Sequence, residues 1–191
     1  HLEGSAGHGR YSHITGVRYK TNKYLLGSMD TKGLYDPTFF DVQSLHSLRL
    51  GSKVFVDILG YYASNRYDFK PKDRETSFGT MSDPRTFTVY FEGKEADVYQ
   101  TGLAGGSVSY APNDDHSFSF RASLYRSREQ ENYDVLGEYW LQQAGTDNSI
   151  GVGGYLQHAR NELFSKIDAY ALRGRHNIVR NVLTWEAKLQ S

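Results

Sequence analysis

The sequence contains no cysteine and only four prolines, and its 22 basic residues are matched by 22 acidic ones. The lack of cysteine excludes disulfides, zinc–thiolate sites and thiol nucleophiles. The neutral balance lacks the basic footprint of a nucleic-acid-binding domain, so we expect no nucleic-acid partner. No apolar run approaches the roughly 20 residues that a transmembrane helix needs. The chain starts without Met or a signal segment, so we expect a mature product or an excerpt.

Tyrosine and glycine are abundant, with 15 and 19 residues, and tyrosine outnumbers the 10 phenylalanines. A tyrosine ring is apolar while its hydroxyl is hydrated, so this composition suits a boundary between an apolar phase and water. Membrane-spanning strands would escape a search for long apolar runs, because they show only an alternation of apolar and polar positions.

The clearest alternation lies in residues 99–129, which read as two strands joined by a turn at Pro112–Asp115. Proline, asparagine and aspartate favour such a turn. In the second strand, serine and arginine alternate with four apolar residues: Phe118, Phe120, Ala122 and Leu124. A period of two predicts one apolar and one polar face.

Similar patterns predict about seven long strands in all. They cover residues 11–29, 38–50, 53–66, 155–172, 177–190 and the two limbs of 99–129. Short turns are expected at Gly51–Ser52, at 112–115 and at 173–176. Long polar loops are expected at 67–97 and 130–154, the first holding a short strand at 87–91 that turns at Gly93–Lys94. Strands of about 12 to 18 residues exceed the globular average of about 5 or 6.

The connections alternate in length. In an antiparallel meander, alternate connections lie at opposite ends, so one end carries short turns and the other long loops, as in outer-membrane barrels. Aromatic residues near the predicted strand ends resemble the girdles at the two lipid boundaries: Tyr62, Tyr67, Tyr110, Tyr125, Tyr155 and Trp185. Seven charged residues are expected to face a water-filled lumen and to pair across strands: Asp57, Arg121, Lys166, Asp168, Arg180, Glu186 and Lys188.

Four stretches resemble the barrel of TonB-dependent receptors from Gram-negative outer membranes: TGVRYKTNKYLLGSMDTKG (15–33), DFKPKDRETSFGT (68–80), YDVLGEYWL (133–141) and HARNEL (158–163). The resemblance implies a barrel of about 22 strands plugged by an N-terminal domain. It also implies a ligand held between plug and extracellular loops, and a TonB complex that pulls on the plug. Plug, TonB box and closing strand are lacking, so we expect residues 1–191 to be one segment of the barrel domain.

No motif predicts catalysis or a cofactor. The histidines and paired acids lack diagnostic metal or hydrolytic spacing, so we expect neither an enzyme nor a bound metal. Tyr139 and Trp140 are candidate ligand contacts in an extracellular loop, with loop packing as the alternative. Arg74, within the charged run Lys70–Glu75, is a further candidate, with a salt-bridged loop rim as the alternative for that run.

The sequence therefore predicts an all-β antiparallel meander, a curved partial wall of a large transmembrane β-barrel with long loops at one end. The expected function is uptake of an iron chelate, vitamin, peptide or glycan by an outer-membrane transporter. Its expected partners are outer-membrane lipid, the plug domain of the same protein and, through the plug, the TonB complex.

The main alternative is a soluble lipocalin-like barrel or β-sandwich that binds a small ligand. Leu124 and Ile167 would then point to the barrel axis, whereas in a transporter wall they would point outward. A small closed outer-membrane barrel is a further alternative and requires an eighth strand.

Overall fold

A computed structural model describes residues 1–21, 33–143, 146 and 148–191. These residues form one antiparallel sheet with the order β1-β2-β3-β4-β6-β7-β8-β9, and β5 pairs with β6 beside this path. The nine strands are β1 Leu2–Ala6, β2 Tyr11–Thr21, β3 Gly33–Leu50, β4 Val54–Pro71, β5 Arg74–Thr80, β6 Asp83–Asn113, β7 His116–Gln143, β8 Ser149–Ile178 and β9 Asn181–Gln190. No helix long and apolar enough to cross a membrane occurs among the described residues.

The predicted all-β antiparallel meander is confirmed. The end strands of the described sheet, β1 and β9, pair with β2 and β8 and not with each other, so the sheet is open. An open sheet is consistent with a partial barrel wall. Strands β1 and β5 bring the number of strands above the seven that we predicted. Residues 22–29 of the predicted first strand lie outside the described residues.

The two polar stretches that we predicted as loops are mostly strand. Strand β6 begins at Asp83, β7 continues to Gln143 and β8 begins at Ser149. Their polar residues pair across β6, β7 and β8 from the short-turn end outward. The register shifts near the turn, between Tyr110 and Asn113 in the β6–β7 pair, and between Tyr139 and Trp140 in the β7–β8 pair. The ladder satisfies the backbone groups whatever the side chains are, so polarity alone did not end these strands. The long connections are therefore strand extensions that project beyond the rest of the sheet.

Two turn predictions are wrong for a shared reason. Strand β6 runs straight through Gly93, whose φ is 99°, and a β-carbon there would overlap the carbonyl oxygen of Asp134 in β7. Strand β8 runs through Gly174, and a β-carbon there would overlap the indole of Trp185. Each glycine permits a close approach within the sheet instead of a reversal. The chain turns later, at Val179, whose φ is 53°.

Cross-strand register sorts the side chains onto two faces, because residues paired in neighbouring strands project to the same side. We call one the polar face; it contains a row of Ser5, Ser12, Ser47, Asp57, Ser107, Arg121, Ala171 and Lys188. We call the other the apolar face; its adjacent row is Tyr11, Leu48, Val56, Val108, Phe120, Leu172 and Ala187.

This register corrects several face assignments in β8. Leu124 pairs with Asp168 and Tyr125 pairs with Ile167, so Lys166 and Asp168 lie on the apolar face and Ile167 on the polar face. Leu124 and Ile167 therefore point to opposite sides. Alternation within one strand separates its residues into two sets but does not say which set lies on which face of the sheet. The pairing of β8 with β7 decides this. Four of the other predicted lumen charges do share the polar face: Asp57, Arg121, Glu186 and Lys188. Arg180 lies in the turn before β9.

The sheet is one layer thick and has almost no core of its own. Ala63 is the only buried hydrophobic residue in the described part of the chain. The chain exposes 13717 Å², against about 9,200 Å² expected for a compact monomer of this mass. Large apolar side chains consequently remain open on the apolar face, including Ile58 at 57% and Phe120 at 47% exposure.

Candidate functional site

The exposed apolar residues on the apolar face form a band across β4, β6 and β7. We define this apolar band by residues 54–62 of β4, 102–110 of β6 and 118–124 of β7, counting only those on the apolar face. At about 3.3 Å per residue the band measures about 26 Å along β4. A strand tilted by about 40° would reduce this to a height of about 20 Å, which is close to the height of the apolar belt of a membrane barrel.

Aromatic rings flank the band at both edges. Tyr110, Phe118 and Trp185 lie in the row near the short turns, and the Trp185 indole donates a hydrogen bond to Nε2 of His176 at 3.0 Å. The rows at the other edge contribute Tyr19, Phe40, Tyr62 and Phe164. Tryptophan and tyrosine favour such boundaries because one end is apolar and the other polar.

Only part of the predicted girdle is on this face. Tyr62, Tyr110 and Trp185 belong to it, whereas the register puts Tyr67, Tyr125 and Tyr155 on the polar face.

Beyond the band, the same face is charged. Arg66 donates two hydrogen bonds to Asp68, at 2.5 and 2.8 Å, and this contact lowers the pKa of Asp68. Asp134 contacts both Arg160 and His158, and hydrogen bonding, chiefly to Arg160, lowers its pKa. The apolar face is therefore divided along its strands into a short apolar part and a long polar part.

The polar face at the level of the band carries a hydrogen-bonded ladder beside a hollow of about 410 Å³. Asp57 accepts hydrogen bonds from the hydroxyls of Ser47 at 2.7 Å and Ser107 at 3.0 Å. Arg121 and Glu186 form an ion pair at 3.3 Å. A face of this kind is suited to contact with water or with a polar partner.

Farther along the polar face, carboxylates and tyrosines form an acidic–aromatic surface. We define it by Glu95, Asp97, Tyr99, Glu129, Glu131 and Tyr133 of β6 and β7 and by Tyr67 of β4. Desolvation raises the pKa of Glu95, and the nearby charge of Asp97 adds to this. Desolvation also raises the pKa of Asp97, with a further contribution from Glu131. Oδ1 of Asp97 is buried and has no hydrogen-bond partner among the described residues.

This arrangement favours a bound group that is flat, cationic or both. The rings of Tyr67 and Tyr99 meet edge to face at 5.9 Å and offer apolar contact area. The crowded carboxylates would be relieved by a cation or by hydrogen-bond donors. Sequence reasoning missed this surface because five of its seven residues fall in the stretches 67–97 and 130–154 that we predicted as loops. The signal was present as acids and tyrosines at alternate positions: 95, 97 and 99 in β6, and 129, 131 and 133 in β7.

The structure brings together two of the three predicted ligand contacts. Arg74 of β5 and Tyr139 of β7 each pair with Val89 of β6, so they lie in one row of the polar face. Tyr139 stacks on Phe87, with ring centroids 5.9 Å apart. Trp140 projects from the opposite face. All three lie in strands, not in loops as we expected, because the backbone pairing between strands extends this far. A ligand role for Arg74 and Tyr139 remains a prediction.

The Trp140 indole covers Gly151 of β8, where a β-carbon would be 3.7 Å from the ring. This contact fits the packing alternative for Trp140 better than a shared site with Arg74 and Tyr139.

Within residues 1–21, 33–143, 146 and 148–191, no group of three or more His, Asp or Glu side chains is placed to hold a metal ion. Comparison of the chain with protein-family models, with curated proteins and with solved structures found no match.

Proposed function

We propose that this chain is part of the barrel wall of a TonB-dependent transporter in the outer membrane of a Gram-negative bacterium. The observation that carries the proposal is the apolar band, which lies exposed on one face of a one-layer sheet while a polar ladder occupies the other face. Soluble monomers rarely expose apolar patches of this extent. Hydrocarbon would cover the band, and water would hydrate the ladder.

In this proposal the polar face borders the lumen and the plug domain. It also carries exposed apolar residues, among them Ile14 at 47%, Leu45 at 39% and Leu59 at 37%. They adjoin one another across β2, β3 and β4. A plug domain packed against this face would remove the apolar row from water. A lumen filled with water alone would leave the row exposed. The TonB complex would act on that plug to admit the nutrient.

The strand extensions would stand outside the membrane and form the wall of the ligand vestibule. The acidic–aromatic surface lies on their polar face, as do Arg74 and Tyr139. An incoming nutrient would meet aromatic contact area and carboxylates before it reached the plug. The class of nutrient, whether iron chelate, vitamin, peptide or glycan, follows from neither the fold nor this surface.

The soluble-barrel alternative is disfavoured by the charged part of the apolar face. A soluble barrel buries its apolar face inside. The same strands would then carry Asp68, Asp134 and Arg160 into the barrel interior, where buried charge is costly. In the transporter these side chains project beyond the membrane into water, and no such cost arises.

Spin labels at adjacent residues test the proposal. The 191 residues contain no cysteine, so Val108→Cys on the apolar face and Ser109→Cys on the polar face each give one new labelling site here. The full-length protein, reconstituted in lipid vesicles, is measured for collisions of the label with oxygen and with a water-soluble nickel chelate. We expect the label at 108 to favour oxygen and the label at 109 to favour the chelate.

The reverse pattern would support the soluble-barrel alternative, as would a full-length protein that remains monomeric in buffer without detergent. Equal access of the chelate to both labels would show that the band does not contact lipid.

A further inference from the structure

A groove lies on the apolar face where the apolar band meets the charged region. Its volume is about 340 Å³, and Tyr62, Gly102 and Phe164 are among the residues that line it. Gly102 forms the open floor, since a β-carbon there would have no atom within 4 Å. Tyr62 and Phe164 lie on either side of it, on β4 and β8. The groove is thus apolar at its centre and sits within the aromatic edge of the band.

Three cationic side chains border the groove. Arg126 and Lys166 stand directly opposite each other on β7 and β8, an arrangement of like charges that is unfavourable by itself. Both contact one carboxylate, that of Asp168, at 2.5 and 3.5 Å. Asp168 retains only 15% of its side-chain exposure, against 45% for Arg126 and 67% for Lys166. The two cationic side chains are therefore more exposed than the carboxylate that they share, although Nη1 of Arg126 also donates a hydrogen bond to the carbonyl oxygen of Tyr125 at 2.7 Å.

The third cation is Arg128, which also lines the groove. It pairs with Glu162 at 2.6 Å, and its guanidinium lies 5.5 Å from the ring centre of Phe164. The three cations thus face two carboxylates, and the groove keeps an excess of positive charge. An anion placed between Arg126 and Lys166 would relieve their mutual repulsion without displacing Asp168.

We propose that this groove binds the anionic, phosphate-bearing head group of a membrane lipid. The inference rests on the proposed function, because it requires the apolar band to contact lipid. Leu124, the next residue along this face of β7, belongs to the band, so Arg126 and Lys166 stand at the height where hydrocarbon gives way to head groups. Arginine suits a phosphate through paired N–H donors, and lysine through its point charge. An acyl chain would lie over Gly102, between the two aromatic rings.

The test measures lipid binding to the full-length protein in phosphatidylcholine nanodiscs doped with phosphatidic acid. Native mass spectrometry counts the retained phosphatidic acid for the unaltered protein and for an Arg126→Gln/Lys166→Gln double variant. We expect affinity to fall at least about tenfold, because two charge-assisted contacts are lost. The matched control is Arg121→Gln/Lys188→Gln, which removes the same charge from the polar face and should leave affinity unchanged.

A second variant guards against a folding defect. Gly102→Leu keeps every charge but fills the groove, and should weaken phosphatidic acid binding in a protein that still inserts. Inorganic phosphate should not displace the lipid at equal concentration; displacement would show that the site takes a free anion and overturn the assignment to lipid. Equal loss in the control, or no loss in either groove variant, would also overturn it. An inserted protein without preference for phosphatidic acid refutes this inference alone, whereas failure to insert refutes the proposed function.

Discussion

Arginine substitutions at two adjacent small residues are expected to differ in their cost in folding free energy, because the two residues lie on opposite faces of the sheet. Ala122 lies in the middle of the apolar band on β7, opposite Gly106 and Tyr170. Its neighbour Ser123 lies on the polar face, opposite Gly105 and Ala169. Neither position has a charged residue directly across from it, so the two substitutions differ mainly in what the new side chain meets.

Arginine at the bilayer midplane of a membrane barrel costs about 2–4 kcal/mol, whereas a substitution on the water-filled side is usually within about 0.5 kcal/mol. We therefore expect Ala122→Arg to lower the folding equilibrium constant by roughly 30- to 800-fold and Ser123→Arg to change it about twofold or less. The measurement is urea-induced unfolding of the full-length protein in lipid vesicles, under conditions in which unfolding is reversible.

A third variant distinguishes lipid from a packed protein core, which would also reject arginine. Ala122→Leu adds volume that fluid hydrocarbon accommodates, so in lipid it should be neutral or stabilising. Inside a close-packed core the same change should cost about 1–3 kcal/mol. Equal costs for Ala122→Arg and Ser123→Arg would refute the assignment of the two faces. A destabilised Ala122→Leu variant would refute the lipid contact.

Three further predictions concern the sheet itself. Gly93→Ala should destabilise by about 1–3 kcal/mol, because the new β-carbon meets a carbonyl oxygen at positive φ, whereas Gly60→Ala, which has open space around it, should be close to neutral in the same urea titration. Glu95 has a raised pKa in the folded protein, so its favourable contribution is present below the ordinary carboxyl pKa and is lost as pH rises through the raised pKa. Glu95→Gln should therefore stabilise the protein at neutral pH and lose that advantage in acid, and an advantage independent of pH would contradict the assignment. Asp57→Ala should cost about 1–3 kcal/mol because two serine hydroxyls lose their acceptor, while Glu186→Ala, which removes one partner of an exposed ion pair, should cost less than about 1 kcal/mol by denaturant unfolding.

Local pattern was a sound guide where one face is apolar and the other polar. Phe118, Phe120 and Leu124 alternate with serine and arginine, and the strand and its two faces were predicted there correctly. In the polar extensions no apolar alternation marks the strands, so Glu95 and Tyr133 were assigned to loops. Glycine was misleading at two positions: at Gly93 and Gly174 it permits a close contact inside the sheet, and the sequence alone does not distinguish this from a turn.

The candidate sites depended still more on pairing. Arg74 and Tyr139 are 65 positions apart in the chain, and only their common neighbour Val89 brings them into one row. Lys166 and Asp168 were assigned to the polar face from alternation within β8, and the register with β7 reversed that assignment. The groove beside Arg126 has no signature in any single strand, because β4, β6, β7 and β8 all contribute to it.

The sequence by itself determined that this protein is built from long antiparallel strands, because alternation with a period of two and well-placed turn residues are local properties of the chain. Only the tertiary structure decided how far the strands extend, which face each side chain occupies and which residues meet across them. The physical reason is that a strand satisfies its hydrogen bonds through a neighbour that is distant in the chain, and a shift of one residue in that pairing moves every side chain to the other face.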